Sequence, residues 1–262
     1  MVIKDKDMLL TIDIGNTNIT LGLYKGNNLG SRWRLATDHD RLADEYGLQL
    51  AGLLNNAGCP LDSISGICMA SVVPPLTRQI IQACQQYLHK EPLVVNEKTR
   101  TGLNILYDNP RSVGADRIVD AVAVTRLYSV PACVVDFGTA TTFDAISRQG
   151  DYLGGSIAPG LGIGADALFQ RTAQLPRVDL VAPPSVIGDN TIHAIQAGLI
   201  YGYVSMVEGM VLRFKKVLGD DMTVIATGGL AEVIAKETSS IQIFAPWLTL
   251  DGLRIIWEMN RS

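Results

Sequence analysis

Met8-Leu9-Leu10-Thr11-Ile12-Asp13-Ile14 is an apolar run closed by Gly15-Asn16-Thr17-Asn18, and the same pattern returns at Ala132-Cys133-Val134-Val135-Asp136, followed by Phe137-Gly138-Thr139-Ala140. A short, nearly continuous apolar run bounded by turn residues reads as a buried strand. Beyond the first turn, Ile19, Leu21 and Leu23 alternate with Thr20, Gly22 and Tyr24, and period-two alternation after a Gly/Asn turn predicts a β-hairpin. Thr141 to Ile146 plays the same part after the second turn. Asp-x-Gly plus a small polar residue therefore stands twice between strands, about half a chain apart, and a repeat of that length predicts two similar domains rather than a solenoid.

Working outward, Asn27-Asn28 turns into a third strand over 29–36, and Leu42, Tyr46, Leu50, Leu53 and Leu54 have helical spacing over 42–57. Strands are predicted over 64–72 and 93–95, with a helix over 76–88 between them. The polar, turn-rich stretch 96–113 reads as a functional loop or linker, and a helix follows over 115–128. In the second half, 151–158 reads as a strand, 160–171 and 190–216 as helices, and 223–226 as a strand. Thr227-Gly228-Gly229 turns into a helix near Leu230, 241–245 is a strand, and 249–259 a closing helix. Strand-rich starts followed by alternating strands and helices predict an α/β fold with mixed sheets. The boundary is expected between residues 113 and 114, giving domains 1–113 and 114–262.

The chain has 262 residues, room for two cores, and its 47% hydrophobic and 18% charged composition excludes a disordered chain. A net charge of −4 disfavours a general nucleic-acid role. Cys59, Cys68, Cys84 and Cys133 form no CxxC pair and are expected as free thiols in a reducing compartment; His39, His89 and His193 are scattered and disfavour a histidine-ligated metal. The charged start, Met1-Val2-Ile3-Lys4-Asp5-Lys6-Asp7, precedes an apolar run too short for a signal peptide, and no stretch is expected to approach the apolar length needed to span a bilayer, so the protein reads as cytoplasmic.

Chemistry concentrates in the turns. A phosphate needs several donors and a close backbone; the Gly15 turn offers N–H groups, with Asn16, Thr17 and Asn18 as side-chain donors. Asp13 repels phosphate by itself but makes sense beside Mg²⁺. Alone, this stretch is equally an ordinary hairpin turn; the second copy tips the balance toward two turns facing each other across an ATP cleft. Thr227-Gly228-Gly229-Leu230 suits an adenosine lying flat on backbone, or a plain strand–helix turn. Gly114-Ala115-Asp116-Arg117 stands at a helix start, where Asp116 is either a residue favoured by the helix dipole or a general base for a substrate hydroxyl. Arg117 is suited to an acceptor carboxylate or a neighbouring acid. Gly164-Ala165-Asp166-Ala167 is a rival lacking the arginine, and Asp166 lies inside a predicted helix.

Taken in order, these motifs resemble the type III pantothenate kinases of the acetate kinase, sugar kinase, Hsp70 and actin superfamily. Asp13 to Asn18 resembles the family's first phosphate motif and Asp136 to Thr142 its second. Gly114 to Arg117, after Tyr107-Asp108-Asn109-Pro110, resembles its pantothenate motif, and Gly154 to Gly160 and Thr227-Gly228-Gly229 also match. The resemblance implies two actin-like (ribonuclease H-like) domains and ATP-dependent phosphorylation of pantothenate to 4′-phosphopantothenate, the first step of coenzyme A biosynthesis. It implies ATP contacts at Asp13, Ile14, Gly15, Asn16, Thr17, Asn18, Ile19, Thr20 and Thr139. Tyr107, Gly114, Ala115, Asp116, Arg117 and Thr191 would line the pantothenate pocket, with Asp116 as proton acceptor. Asp136 would bind a monovalent cation, potassium or ammonium, alongside ATP with Mg²⁺. A homodimer completing the pocket across its interface is implied, with no nucleic-acid or membrane partner. The alternatives are another small-molecule kinase or phosphohydrolase of the superfamily, and a non-catalytic nucleotide-binding regulator.

Overall fold

The computed structural model describes residues 7–261; the charged start before Asp7 lies outside them. Ten strands and seven α-helices are formed among these residues, with two short 3-10 turns, Leu61–Ser63 and Pro110–Ser112, inside stretches read as loops.

The first sheet contains β1 (Met8–Ile14), β2 (Asn18–Lys25), β3 (Asn28–Ala36), β4 (Ile64–Ser71) and β5 (Leu93–Val94), in the order β3-β2-β1-β4-β5. β1 pairs antiparallel with β2 and parallel with β4. Side chains alternate along a strand. Leu10, Ile12 and Ile14 of β1 therefore join Ile67 and Met69 of β4 on one face, in a core with Tyr46, Leu50 and Leu54 of α1 (Ala43–Asn56) and Leu76, Ile80 and Cys84 of α2 (Pro74–Leu88). Thr11 and Asp13 face the other way. That face is covered by α7 (Leu248–Asn260), with Leu250 against Gly22 and Trp257 flat over Gly66, where a Cβ would come within 1.9 Å of the indole. Gly66→Ala would push the indole out, an overpacking cost of about 1–3 kcal/mol. Gly252 of α7 in turn packs on Val119 of α3 (Ala115–Leu127).

The second sheet contains β6 (Ala132–Phe137), β7 (Ala140–Ile146), β8 (Tyr152–Pro159), β9 (Thr223–Thr227) and β10 (Ile243–Phe244), in the order β10-β9-β6-β7-β8. β6 pairs antiparallel with β7 and parallel with β9, as β1 does with β2 and β4. The repeated Asp-x-Gly fragment thus marks two copies of one five-stranded mixed sheet. Cys133, Val135 and Phe137 pack against α4 (Leu161–Arg171), α5 (Thr191–Leu218) and α6 (Ala231–Ala235) through Leu161, Leu199, Val207, Val211 and Ile234.

The chain divides into two compact units that are not separated by one cut. The first holds the described residues up to Gly102 together with Asn109–Ala123 and those from Thr249 on; the second holds Leu103–Asp108 and Val124–Leu248. A single boundary at residue 113 does not reproduce this interleaving, because α7 closes the face of the first sheet, far from it in sequence. One expectation is corrected outright. α5 is long and apolar enough, by length and composition, to cross a bilayer. α5 is the helix predicted over 190–216, and its buried Ile195, Leu199, Ile200, Val204, Val207 and Val211 make it the core helix of the second unit. All four cysteines are buried and free, and burial pushes Cys68 and Cys84 up to about 12, leaving them as thiols.

Candidate active site

In the first unit, Asp13 ends β1 on the α7 side of the sheet, half-buried, while Ile14 and Ile19 are buried in the opposite core. Those two isoleucines therefore offer a ligand only their backbone. The intervening turn closes through the Gly15 N–H donating to the Asn18 carbonyl at 3.0 Å. Thr37, which the sequence reading passed over, fastens it from outside: its hydroxyl donates to the Gly15 carbonyl at 2.7 Å and its N–H to the Thr17 carbonyl at 2.9 Å. Asn16, Thr17 and Asn18 are left exposed, with Thr20 half-buried beyond them.

The start of α3 comes to this same place. The parallel register puts Asp13 beside Ala70 of β4, and Val72, two residues on, donates its N–H to the Ile14 carbonyl at 3.1 Å. Asp13 and Ala70 share a face by alternation, and just past the end of β4 a Cβ on Gly114 would sit 3.7 Å from Val72. The same Cβ would come within 2.4 Å of Asp116 Oδ1, so glycine leaves this carboxylate its room. Asp116 also accepts the Arg117 N–H at 2.8 Å, which fixes the carboxylate at the helix N-terminus. Gly114, Ala115, Asp116 and Arg117 are all half-buried. The start of α3, with Asp116, thus lies at the end of the first sheet where β1 presents Asp13.

In the second unit, Asp136 ends β6 on the face away from α5, beside Thr227 of β9 and Thr142 of β7. Two glycines close on this turn. Gly228, at φ +94°, lies so near that a Cβ would be 2.3 Å from Asp136 Oδ1 and 2.7 Å from the Phe137 backbone. A Cβ on Gly160 would fall 2.1 Å from the Thr139 carbonyl and 2.7 Å from that of Gly138. Gly160 of the Gly154–Gly160 motif and Gly228 of the Thr227–Gly229 motif are therefore parts of the second turn's surroundings, a role their spacing in sequence does not disclose. Thr139 is exposed at the tip.

The remaining residues also fall in the second unit. Tyr107 lies over Gly154 of β8 and is 40% exposed. Thr191 opens α5 directly after Asn190, whose side chain accepts the His193 N–H at 2.9 Å. It lines an open hollow of about 580 Å³ with Leu168, Gly188 and Ala194. Asp166, the rival acid, is exposed and pairs with Arg177 at 3.8 Å, a solvated position rather than a site.

No group of three or more His, Cys, Asp or Glu side chains able to hold a metal occurs among the described residues. A Mg²⁺ ion in a kinase takes one or two carboxylates and completes its shell with phosphate oxygens and water. The half-buried Asp13 carboxylate, with the exposed Asn16, Thr17 and Asn18 beyond it, fits that role.

This fold is that of the actin-like ATPases and sugar kinases. A Campylobacter jejuni protein described as a Baf family transcriptional activator superposes with a TM-score of 0.60 at 20% identity, covering 96% of this chain and 98% of that one. A Sinorhizobium meliloti protein described as a 2-dehydro-3-deoxygalactonokinase superposes with a TM-score of 0.58 at 12% identity, covering 96% of each. The model of the type III pantothenate kinase family matches residues 9–213. A type III pantothenate kinase from Moorella thermoacetica is 53% identical over 253 residues, 97% of this chain and 100% of that protein. The chain belongs to the type III pantothenate kinase family, whose activity is ATP-dependent phosphorylation of pantothenate in coenzyme A biosynthesis.

Proposed function

We propose that the chain transfers the γ-phosphoryl group of ATP to the 4′-hydroxyl of pantothenate, with Asp116 as the proton acceptor. The observation that supports this reading is that the start of α3, with Asp116, comes to the same end of the first sheet as Asp13. Asp116 takes the hydroxyl proton as the oxygen forms its bond to the γ-phosphorus and the bond from that phosphorus to the β,γ-bridging oxygen breaks, releasing ADP. The turn from Asp13 to Thr20 contributes backbone N–H groups and the Asn16, Thr17 and Asn18 side chains to the phosphates, and Thr139 contributes from the second turn. Arg117 pairs with the pantothenate carboxylate, and Tyr107, Gly114, Ala115 and Thr191 line that substrate's pocket. Asp13 would hold Mg²⁺ and Asp136 potassium or ammonium, which when bound would supply positive charge to the polyphosphate.

Two further parts of the reading rest on the family resemblance. The protein works in the cytoplasm, and it does so as a homodimer; the exposed Leu168 and Ile192 near the Thr191 hollow support a second copy there. Sedimentation equilibrium giving a monomer at micromolar concentration would remove the dimer. A coupled assay of ADP release tests the activity. Release is expected only with pantothenate present, and is expected to fall sharply when sodium replaces potassium. Release without pantothenate would point to a phosphohydrolase, and none under any condition to a nucleotide-binding regulator. Indifference to the cation would remove it from Asp136.

A further inference from the structure

Tyr107 is held to the second sheet through both its backbone and its ring. The Leu106 N–H donates to the Tyr152 carbonyl at 2.8 Å, the Tyr152 N–H donates to the Asn104 carbonyl at 2.9 Å, and Ile105 forms a parallel bridge with Tyr152. The Leu103–Asp108 stretch is therefore a strand stub added to the edge of β8. The Tyr107 ring lies 6.5 Å from that of Tyr152, tilted by 53°. Beneath it, a Cβ on Gly154 would be 2.9 Å from Tyr107 Cε2 and 3.0 Å from Cδ2, and φ at Gly154 is +104°. The pairing of β7 with β8 shifts register at this point, between Ala145 and Ile146.

Tyr152 is fully buried, and its hydroxyl donates to Asp144 Oδ1 at 2.7 Å. Asp144 is 2% exposed, and its Oδ2 accepts the Thr142 hydroxyl at 3.1 Å. Thr142 is the cross-strand partner of Asp136. A continuous line thus runs from Tyr107 through Tyr152, Asp144 and Thr142 to the second turn. Packing alone does not call for it: a phenylalanine would fill the place of Tyr152, and a buried carboxylate is costly to desolvate.

We propose that Tyr152 and Asp144 are positioning residues for pantothenate: they lock the ring beneath Tyr107, and Gly154 provides the floor on which Tyr107 sits. This rests on the reading that Tyr107 lines the pantothenate pocket. Loss of a positioning contact that serves ground state and transition state alike raises KM and spares kcat.

Steady-state kinetics of the full chain test this. Tyr152→Phe is expected to raise the pantothenate KM roughly tenfold. The ATP KM and kcat are expected to stay within about twofold. Asp144→Ala should do the same, and Asp144→Asn, which keeps an oxygen acceptor for the tyrosine, should recover part of the loss. Once Tyr107→Ala has raised the pantothenate KM, adding Tyr152→Phe should raise it no further. Additive effects in that double variant would overturn the proposal, as would a Tyr152→Phe enzyme with an unchanged pantothenate KM while Tyr107→Ala raises it. A Tyr107→Ala enzyme with an unchanged pantothenate KM would overturn the reading of Tyr107 itself, and this inference with it. Melting curves of each variant separate a lost fold from a lost position; equal rises in the ATP and pantothenate KM values would assign Tyr152 and Asp144 to stability alone.

Discussion

The turn after β1 and the turn after β6 begin from the same fragment and end in different surroundings. The first is open. Its Gly15 would place a Cβ 3.1 Å from the Asn18 carbonyl, and Asn16, Thr17 and Asn18 stand exposed beyond it. Its chemical complement is the separate helix start that brings Asp116 to the same end of the sheet. The second is enclosed, with Gly160 and Gly228 pressed onto it from β8 and β9. A duplicated strand–turn–strand thus ends in two different settings: an open first turn with Asp116 at the same end of the sheet, and a second turn with Gly160 and Gly228 packed onto it beside Asp136.

The largest effect should come from removing the acid that only the first turn has. Asp116→Asn keeps shape and one oxygen, so the protein should melt normally and bind ATP while kcat falls roughly 100- to 10,000-fold. Isothermal titration with ATP beside turnover assays checks this, and near-normal turnover would separate Asp116 from proton transfer. Asp166→Asn, at the solvated rival, should leave turnover intact.

Substituting glycines measures how closely each turn is packed. Gly228→Ala meets both a positive φ and the Asp136 carboxylate, and Gly160→Ala meets the Thr139 carbonyl, so each should cost about 2–4 kcal/mol and most of the activity. Gly15→Ala needs the Asn18 carbonyl to yield by only tenths of an ångström and should cost under about 1 kcal/mol. Urea denaturation ranks the three; equal costs would erase the distinction between an open and an enclosed turn.

The smallest effect lies at the surface of the second unit. Arg148 donates to both carboxylate oxygens of Asp221 at 2.8 Å, and these hydrogen bonds hold Asp221 below the usual carboxylate range. A depressed carboxylate adds stability above its unfolded value, near 3.9, and that contribution is lost as pH falls through the lower folded value. Both side chains are exposed, so solvent screens the pair. Arg148→Ala should lower Tm barely measurably at pH 6, and the difference from wild type should vanish in strong acid or high salt. A difference that grows toward low pH would reverse the sign argued here.

Much of the arrangement was legible without coordinates. The bounds of β1, β6 and α2 fell within a residue or two of the periodicity, because buried strands and amphipathic helices are written in consecutive residues. The helix start at Asp116 is legible as well, but a helix-start aspartate has the same local appearance whether it caps or reacts. What proximity in sequence did not carry was missed: Thr37 fastening the first turn from 22 residues beyond Gly15, and Tyr152 and Asp144 beneath Tyr107.

The sequence by itself determined the two strand–turn–strand copies, the alternation along the strand after the first turn, and the family. Those follow from period and local turn chemistry, which neighbouring residues suffice to specify. Tertiary structure alone decided which glycine presses on which turn, that α7 returns to cover the first sheet, and that Tyr107 belongs to the edge of the second. Such contacts join residues distant along the chain, and sequence pattern records that a glycine or a buried acid is present without recording what approaches it.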